Sequence, residues 1–199
     1  AGECELQDIA HLYSVKATKY GGERHKYPVD SDPSPYLHID MNKCILCRRC
    51  IRACHDIQGA DIWTKVGRGF DQRISTAFEL PLQEAGCEDC GHCAEFCAVD
   101  AIGFRAGRGD VRSWQMNKES SICLLCPSGC RAQYDTCGGK VVRVLGDSHS
   151  PANRGALCKM GRFNFNFINS PDRLKEPAIQ NDKGELVACS TEEAIKAAA

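Results

Sequence analysis

The chain has 199 residues, of which 15 are cysteine, and its formal net charge is −1. The near balance of 25 Lys and Arg against 26 Asp and Glu gives no reason to expect a nucleic-acid or membrane-surface partner. No apolar run approaches the roughly 20 residues that a membrane-spanning helix needs, so no membrane span is predicted.

The first part of the chain predicts helix, linker and strand in that order. Residues 1–20 predict a polar, weakly amphipathic helix, and the glycines and prolines of 21–37 predict an extended linker. Short strands are predicted over "LHIDM" (37–41) and "AIGF" (101–104). Between these strands lie two cysteine groups with the same internal spacing, which indicates an internally duplicated metal-binding domain.

The later part of the chain has a different pattern. Alternating residues around Gly138-Gly139 predict a β-hairpin over 131–146. A helix is predicted near 161–169, and "NDKGE" (181–185) predicts a turn. Ser190 with Glu193 forms a capping box that opens a last helix.

The high cysteine content indicates either a secreted disulfide scaffold or metal binding. Most of the cysteines have ligand-like spacing, and an odd total fits disulfide pairing poorly. Reduced thiols favour a cytoplasmic setting. Because the sequence starts at Ala1 without methionine and stops inside a helix, we expect it to be part of a longer chain.

Two runs, "CILCRRCIRAC" and "CEDCGHCAEFC", place four cysteines at C-x2-C-x2-C-x3-C. In such a run three thiolates hold one cubane iron–sulfur cluster, and the fourth ligates the other cluster. Structural zinc sites usually combine two separated cysteine pairs, so iron–sulfur is favoured over zinc. The predicted ligands of site 1 are Cys44, Cys47, Cys50 and Cys97, and those of site 2 are Cys87, Cys90, Cys93 and Cys54.

The doubled run resembles the two-cluster bacterial ferredoxin domain, which binds two [4Fe–4S] clusters. In that domain a proline usually follows the fourth cysteine, but here His55 and Ala98 stand at those positions. Proline stiffens the turn and is not a ligand. The departure therefore concerns the turn geometry and leaves cluster binding expected.

A third group has the spacing C-x2-C-x3-C, with one more cysteine far downstream; its members, site 3, are Cys123, Cys126, Cys130 and Cys158. With "SPANRGALC" and "GRFNFNF", it resembles the N-terminal cluster domain of molybdenum or tungsten bis-pterin oxidoreductases such as formate dehydrogenase. The large iron–sulfur subunit of complex I has the same domain. The resemblance implies a third [4Fe–4S] cluster, with a zinc ribbon as the alternative.

Cys4 lies in "GECELQD", which resembles the end of a cluster motif with one histidine and three cysteine ligands. That motif occurs in complex I, NAD-linked formate dehydrogenases and multisubunit iron-only hydrogenases. The resemblance implies that Cys4 contributes to a fourth cluster whose other ligands precede Ala1. A free surface thiol is the alternative. Cys137 and Cys189 are predicted to be ordinary buried or half-buried thiols.

Together these resemblances imply an α+β fold, in which a two-[4Fe–4S] ferredoxin-like domain precedes a small β-rich domain of the bis-pterin-oxidoreductase type. The order looks like an NAD-linked formate dehydrogenase subunit or a subunit of an electron-bifurcating hydrogenase complex. The implied parts are a cluster-domain remnant (1–20), a linker (21–37), the ferredoxin-like domain (38–106), the third cluster domain (119–180) and the start of another domain (181–199).

The implied function is an electron relay between a flavin/NAD(H) module, or ferredoxin, and a hydrogenase or formate dehydrogenase catalytic subunit, with a [2Fe–2S] subunit as a further partner. The alternative is the N-terminal part of a molybdenum or tungsten formate dehydrogenase. A zinc-stapled scaffold is a third interpretation. No catalytic residue is predicted, since the sequence has no Ser-His-Asp order, Walker loop or Gly-x-Gly-x-x-Gly element opening a helix. His92, inside the second cysteine run, is predicted to hydrogen-bond a sulfur or to face a partner.

The residues after Cys158 favour the relay. The bis-pterin family usually has cysteine, any residue, lysine and glycine here, with the lysine between cubane and pterin. Met160 takes the lysine position, and Lys159 lies one place early. A one-residue shift turns a helical side chain by about 100°. We therefore expect Cys158 to bind a cubane without a pterin partner, and no molybdenum- or tungsten-pterin in this chain.

Loop charges suggest different reduction potentials at sites 1 and 2. Arginines near a cluster favour its reduction, and carboxylates oppose it. Site 1 is therefore expected to have the higher potential. The charged residues of the first loop are Arg48, Arg49 and Arg52, and those of the second are Glu88, Asp89 and Glu95.

The first prediction is an iron content of about twelve atoms per chain, because three complete cubanes carry four irons each. Iron and acid-labile sulfide should be measured on anaerobically prepared protein. Stoichiometric zinc, or only about eight irons in an undamaged sample, would contradict it.

Overall fold

A computed structural model of the chain describes residues 4–19, 21–22, 26–29, 33–106 and 111–199. Parts of the predicted helix over 1–20 and linker over 21–37 lie outside these residues. The chain forms two compact units, Ala1–Phe165 and Asn166–Ala199. None of the described helices is long and apolar enough to cross a membrane.

The α-helices of the described residues are short. They span Glu5–Leu12 (α1), Arg49–Arg52 (α2), His92–Glu95 (α3), Lys159–Phe163 (α4) and Thr191–Ala198 (α5). A π-helical segment, Ala53–Gln58, continues α2. Single 3-10 turns occur at Met41–Lys43, Gly69–Asp71, Ala77–Glu79, Ser113–Gln115 and Asn166–Ile168.

Two helix predictions differ from the structure in extent. α1 is much shorter than the predicted helix over 1–20 and buries none of its side chains. The helix predicted near 161–169 begins earlier, directly after Cys158, and ends at Phe163. The capping box of α5 is confirmed, since Ser190 and Glu193 each accept a hydrogen bond from the other's backbone N–H.

All strand pairs of the described residues are antiparallel. The first unit contains β1 (Leu37–Ile39) with β4 (Ile102–Phe104), β2 (Trp63–Val66) with β3 (Arg73–Thr76), and a sheet of β5 (Asn117–Ile122), β6 (Arg131–Cys137) and β7 (Lys140–Gly146). The second unit contains β8 (Ala178–Gln180) with β9 (Leu186–Ala188).

The predicted strands form, and two of them close the duplicated domain. β1 pairs with β4, so the segment before the first cysteine run joins the segment after the second. The β6–β7 hairpin is confirmed; Gly138 and Gly139 have φ values of +57° and +76°, as a two-residue turn of positive φ requires. The β2–β3 hairpin was not predicted.

Three of the predicted ligand cysteines belong to the hydrophobic core of the ferredoxin-like part. Leu37 is fully buried at its centre, beside Ile102 and Phe104. Cys50, Cys54 and Cys93 are buried in the same core, which also contains Ile62, Trp63, Ile74, Leu82 and Ala94. Any cluster bound there is therefore held in apolar surroundings of low dielectric.

Gly103 of β4 lies against a buried polar pair. His38 Nε2 is 3.2 Å from Asp100 Oδ1, and both side chains are almost fully buried. A Cβ atom at Gly103 would overlap both side chains. Glycine is therefore required here by space.

We expect Gly103→Ala to lower the free energy of unfolding by about 1–3 kcal/mol, because the added methyl overpacks a closed site. The matched control is Gly22→Ala, since a Cβ there meets no atom within 4 Å. Guanidinium unfolding followed by circular dichroism measures both variants. Equal midpoints for the two would contradict the prediction.

Candidate metal centres

The two cysteine runs share a backbone conformation as well as a spacing. In each run the residue before the second cysteine and the residue after it lie in the left-handed region. These are Leu46 (φ 56°) and Arg48 (φ 61°) in the first run, and Asp89 (φ 56°) and Gly91 (φ 82°) in the second. Non-glycine residues hold this conformation only where the surrounding structure imposes it. Both loops thus turn alike around their cysteines.

Site 1 surrounds a single cavity. Its four cysteines line one space, together with Met41, Ile45, Arg48, Ile74, Val99, Ala101 and Ile102. The Leu46 N–H points at Cys44 Sγ at 3.4 Å. The N–H groups of Ala101 and Ile102 point at Cys97 Sγ at 3.2 and 3.4 Å. Such donors to sulfur are a means by which proteins tune iron–sulfur clusters.

Site 2 repeats the arrangement. Its four cysteines line a second space with Leu37, Gln58, Ala60, Ile62, Trp63, Glu88 and Gly91. The Ile62 N–H points at Cys54 Sγ at 3.3 Å. Each cavity takes its fourth cysteine from the other run: Cys97 reaches site 1, and Cys54 reaches site 2. The residues fit [4Fe–4S] clusters, because four thiols and donors to sulfur enclose one space; ligation itself stays a prediction.

Burial raises the pKa values of thiols at both sites. The pKa of Cys50 is raised to about 12, mainly by burial and further by its neighbours Cys97 and Cys44. Burial also raises the pKa of Cys93. Iron binding to these thiols must therefore displace protons. Among the described residues, no group of three or more histidine, cysteine, aspartate or glutamate side chains is placed closely enough to hold a single metal ion.

Site 3 lies nearer the surface. Cys123 is buried and Cys130 half-buried, while Cys126 and Cys158 are exposed. The Cys123 N–H donates to the carbonyl oxygen of Cys130 at 2.8 Å. Burial raises the pKa of Cys130, and the charges of the other three cysteines add to the effect. The helix that begins after Cys158 approaches Cys123, since a Cβ atom at Gly161 would lie 3.4 Å from Cys123 Sγ.

Cys4 lies beside site 1. It packs against Ala98, Val99 and Ala101, the same small cluster that contacts Cys44 and Cys97. Its sulfur accepts a hydrogen bond from the Gln7 N–H at 3.4 Å and so caps α1. Cys4 is half-buried, and so are the two cysteines without predicted partners, Cys137 and Cys189.

The motif after Cys158 holds a buried residue that the sequence did not single out. Lys159 and Met160 are exposed at the start of α4. Arg162, in contrast, is only 1% exposed. Its Nε donates to the carbonyl oxygen of Cys90, a site 2 residue 72 positions away. No local pattern links residues at that separation, so only the fold could reveal the contact.

His92 makes a different contact from the predicted bond to sulfur. It is 3% exposed, and its Nε2 accepts a hydrogen bond from the Leu157 N–H at 3.3 Å. Burial, with the nearby Arg162 charge, lowers the pKa of His92 to about 4. The ring is therefore neutral at pH 7 and ties the second cysteine run to the residue before Cys158.

Many of the loop charges already have partners. Asp89 is buried and accepts hydrogen bonds from Ser34 Oγ at 2.6 Å and Gln83 Nε2 at 3.2 Å. Glu88 accepts from Gln58. Glu95 lies 2.7 Å from Arg162, and Arg49 lies 2.8 Å from Glu5. The expectation for the potentials of sites 1 and 2 counted the charged residues of each loop. It did not include these ion pairs and hydrogen bonds, which change the electric field at the sites.

Two family models match the chain. Residues 34–103 match the NADH-quinone oxidoreductase subunit 3 ferredoxin-like domain, and residues 116–170 match the molybdopterin oxidoreductase Fe4S4 domain. The first match contains sites 1 and 2, and the second contains site 3. The chain is thus a mixed helix and strand protein with iron–sulfur domains of the [4Fe–4S] class.

Three curated relatives show which kinds of protein the chain is similar to. The chain is 37% identical over 194 residues to an NADH-quinone oxidoreductase subunit from Rhizobium meliloti (strain 1021), covering 97% of this chain and 22% of the relative. It is 36% identical over 186 residues to NADPH-Fe(3+) oxidoreductase subunit alpha of Geobacter sulfurreducens (strain DL-1 / KN400), covering 92% and 21%. It is also 26% identical, over 98% of its length and 23% of the relative, to a protein named for formate dehydrogenase in Staphylococcus haemolyticus (strain JCSC1435).

The chain therefore spans about a fifth of the length of these relatives. Among solved structures, an NAD+-reducing [NiFe]-hydrogenase in the H2-reduced state matches with a TM-score of 0.44 and 27% identity, over 53% of this chain and 45% of that chain. The resemblance to complex I and formate dehydrogenase proteins, inferred from the motifs, is confirmed by the relatives.

Crossed ligation gives a selective test. We expect Cys97→Ser, a change in the second run, to impair the site 1 cluster, and Cys54→Ser, a change in the first run, to impair the site 2 cluster. The physical reason is that each sulfur lines the other run's cavity. EPR spectra of the reduced proteins identify the affected cluster.

The control for these variants is Cys137→Ser, which lies outside all three sites and should leave every EPR signal unchanged. Loss of the site 2 signal in Cys97→Ser would show that each run ligates its own cluster and that the crossed assignment is wrong.

Proposed function

We propose that this chain is an iron–sulfur electron-relay segment of a multisubunit NAD(P)H-linked oxidoreductase. It would hold three [4Fe–4S] clusters, with Cys4 contributing to a fourth. Such clusters, when bound, accept and release single electrons. The chain's own residues would fix the spacing between the sites, keep water from the buried thiols of Cys50, Cys54 and Cys93, and tune the charge environment; Cys47 of site 1 is exposed.

The observation that carries this proposal is the unbroken series of contacts between the cysteine sets. Cys4 shares its packing neighbours with two site 1 cysteines. Sites 1 and 2 adjoin, because Cys50 of site 1 and Cys93 of site 2 are buried in the same hydrophobic cluster. These contacts support a linear order in which the Cys4 end precedes site 1 and site 1 precedes site 2.

The step from site 2 to site 3 rests on a second pair of contacts. His92 of the second run accepts from the Leu157 N–H, and Arg162 of α4 donates to the Cys90 carbonyl. Residues on both sides of Cys158 thus contact the loop that holds site 2. A series of this kind suits a protein whose task is to pass electrons through its length, with no substrate pocket needed.

The finer architecture is part of the proposal. A double-cubane ferredoxin-like domain (38–106) would precede a β-rich domain of the bis-pterin-oxidoreductase type (119–180), with further structure after 181. The partners would be a flavin/NAD(H)-binding subunit, a [2Fe–2S] subunit and a hydrogenase or formate dehydrogenase catalytic subunit. The NAD(P)H-linked part of the proposal is supported by two relatives, whose names join NADH or NADPH to an electron acceptor.

One other function has support from a specific observation. The molybdopterin oxidoreductase Fe4S4 match and the relative named for formate dehydrogenase favour the N-terminal part of a pterin enzyme. Met160 at the usual lysine position, with Lys159 on the exposed start of α4, favours the relay. A methionine offers neither a charge nor a strong donor toward a pterin.

We expect the anaerobic protein to be reduced by dithionite, or by NAD(P)H through its flavin partner, without formate oxidation. EPR and visible spectra follow the reduction, and metal analysis of the intact complex accompanies them. Stoichiometric molybdenum or tungsten in this subunit would restore the formate dehydrogenase function. Stoichiometric zinc without visible absorbance would exclude both functions in favour of a scaffold.

A further inference from the structure

Arg162 is a buried cation at the junction between sites 2 and 3. Its Nε donates to the Cys90 carbonyl oxygen at 2.8 Å, and its Nη2 lies 2.7 Å from Glu95 Oε2. Its guanidinium stands 5.6 Å from the centre of the Phe104 ring. Nη1 is buried and has no hydrogen-bond partner among the described residues. An arginine so enclosed is costly unless it is held by such contacts.

The helix that carries Arg162 also contacts site 3. α4 begins directly after Cys158, and the Arg162 N–H donates to the Cys158 carbonyl at 3.0 Å. The neighbouring Gly161 packs over site 3, since a Cβ there would lie 3.4 Å from Cys123 Sγ. Two consecutive residues of one short helix thus reach two different cysteine sets.

The second loop is shaped to receive the Arg162 side chain. Gly91, between Cys90 and the α3 helix, has φ +82°. A Cβ atom at Gly91 would lie 2.5 Å from Arg162 Cδ. The Arg162 guanidinium therefore lies directly against Cys90 and Gly91, which line site 2.

We infer that Arg162 is a positioning residue that raises the reduction potential of site 2 and fixes α4, with site 3, against the second ligand loop. The inference rests on the proposed function, because it needs clusters at both sites. Reduction adds one electron, and hence one negative charge, beside Cys90. A buried positive charge favours that addition more strongly than exposed, screened arginines do.

The test is a dithionite titration of the anaerobic protein followed by EPR, with Arg162→Met and Glu95→Gln compared. Arg162→Met removes the positive charge and should lower the equilibrium constant for reduction of site 2 at least tenfold, or about 59 mV for one electron. Glu95→Gln removes the opposing negative charge and should shift site 2 in the other direction. Site 1 should stay within threefold of the wild type in both.

Opposite shifts separate an electrostatic role from a purely structural one. If Arg162 only supports the fold, both variants shift site 2 in the same direction or leave its potential unchanged, and the inference is overturned. Arg162→Lys keeps the charge but loses the planar fork. It should keep the site 2 potential close to the wild-type value. Because α4 is then held less firmly against the second loop, it should weaken the magnetic interaction between reduced sites 2 and 3, which EPR also records.

The control is Arg73→Met, which removes another ion-paired arginine. Arg73 pairs with Glu79, and neither residue lines site 2. No tenfold change at site 2 is expected. If Arg162→Met does not fold, Glu95→Gln alone still tests the inference. A site 2 reduction potential that falls or stays unchanged in Glu95→Gln overturns it.

Measurements on the wild-type protein distinguish a failure of this inference from a failure of the proposed function. Wild-type protein without clusters at sites 2 and 3 contradicts the proposed relay. Wild-type protein with both clusters, whose site 2 potential does not depend on Arg162 and Glu95, contradicts the inference alone.

Discussion

The structure depends on an exchange between the two cysteine runs: each run contributes one cysteine to the cavity lined by the other run. Each cavity is lined by three cysteines of one run and one cysteine of the other, so neither run alone lines either cavity completely. The β1–β4 pair closes the same arrangement, because it joins the chain before the first run to the chain after the second. The cavities therefore form only when residues from Leu37 to Phe104 have come together.

Burial decides which charges matter near these sites. Exposed arginines such as Arg52, which lines neither cavity, act through solvent and are screened over about 8–10 Å at physiological salt. Arg162 is enclosed by protein and lies against the loop of site 2. The number of charges in a loop is therefore a weaker guide to potential than the position of one buried cation from a distant part of the chain.

The sequence could predict features that depend on residues close together in the chain, but not contacts between distant segments. Cysteine spacing is local, so it predicted the two cysteine runs and the group Cys123–Cys130, whereas Cys158 was assigned through the family resemblance. Two consecutive glycines predicted the β6–β7 hairpin. The capping box at Ser190 is likewise a contact between near neighbours. The β2–β3 hairpin escaped prediction because its connection carries no two-residue turn signal. The contacts of His92 and Arg162 escaped because they join segments far apart in sequence.

Gly91 shows how one small residue satisfies two constraints at once. The ligand loop needs a left-handed residue after its second cysteine, and in the first run the non-glycine Arg48 fills that position. Backbone conformation alone therefore does not require glycine. The second run differs because Arg162 enters where a side chain at 91 would stand. The duplicated loops thus diverge at the position where one of them contacts α4, and the glycine makes room for the buried arginine between sites 2 and 3.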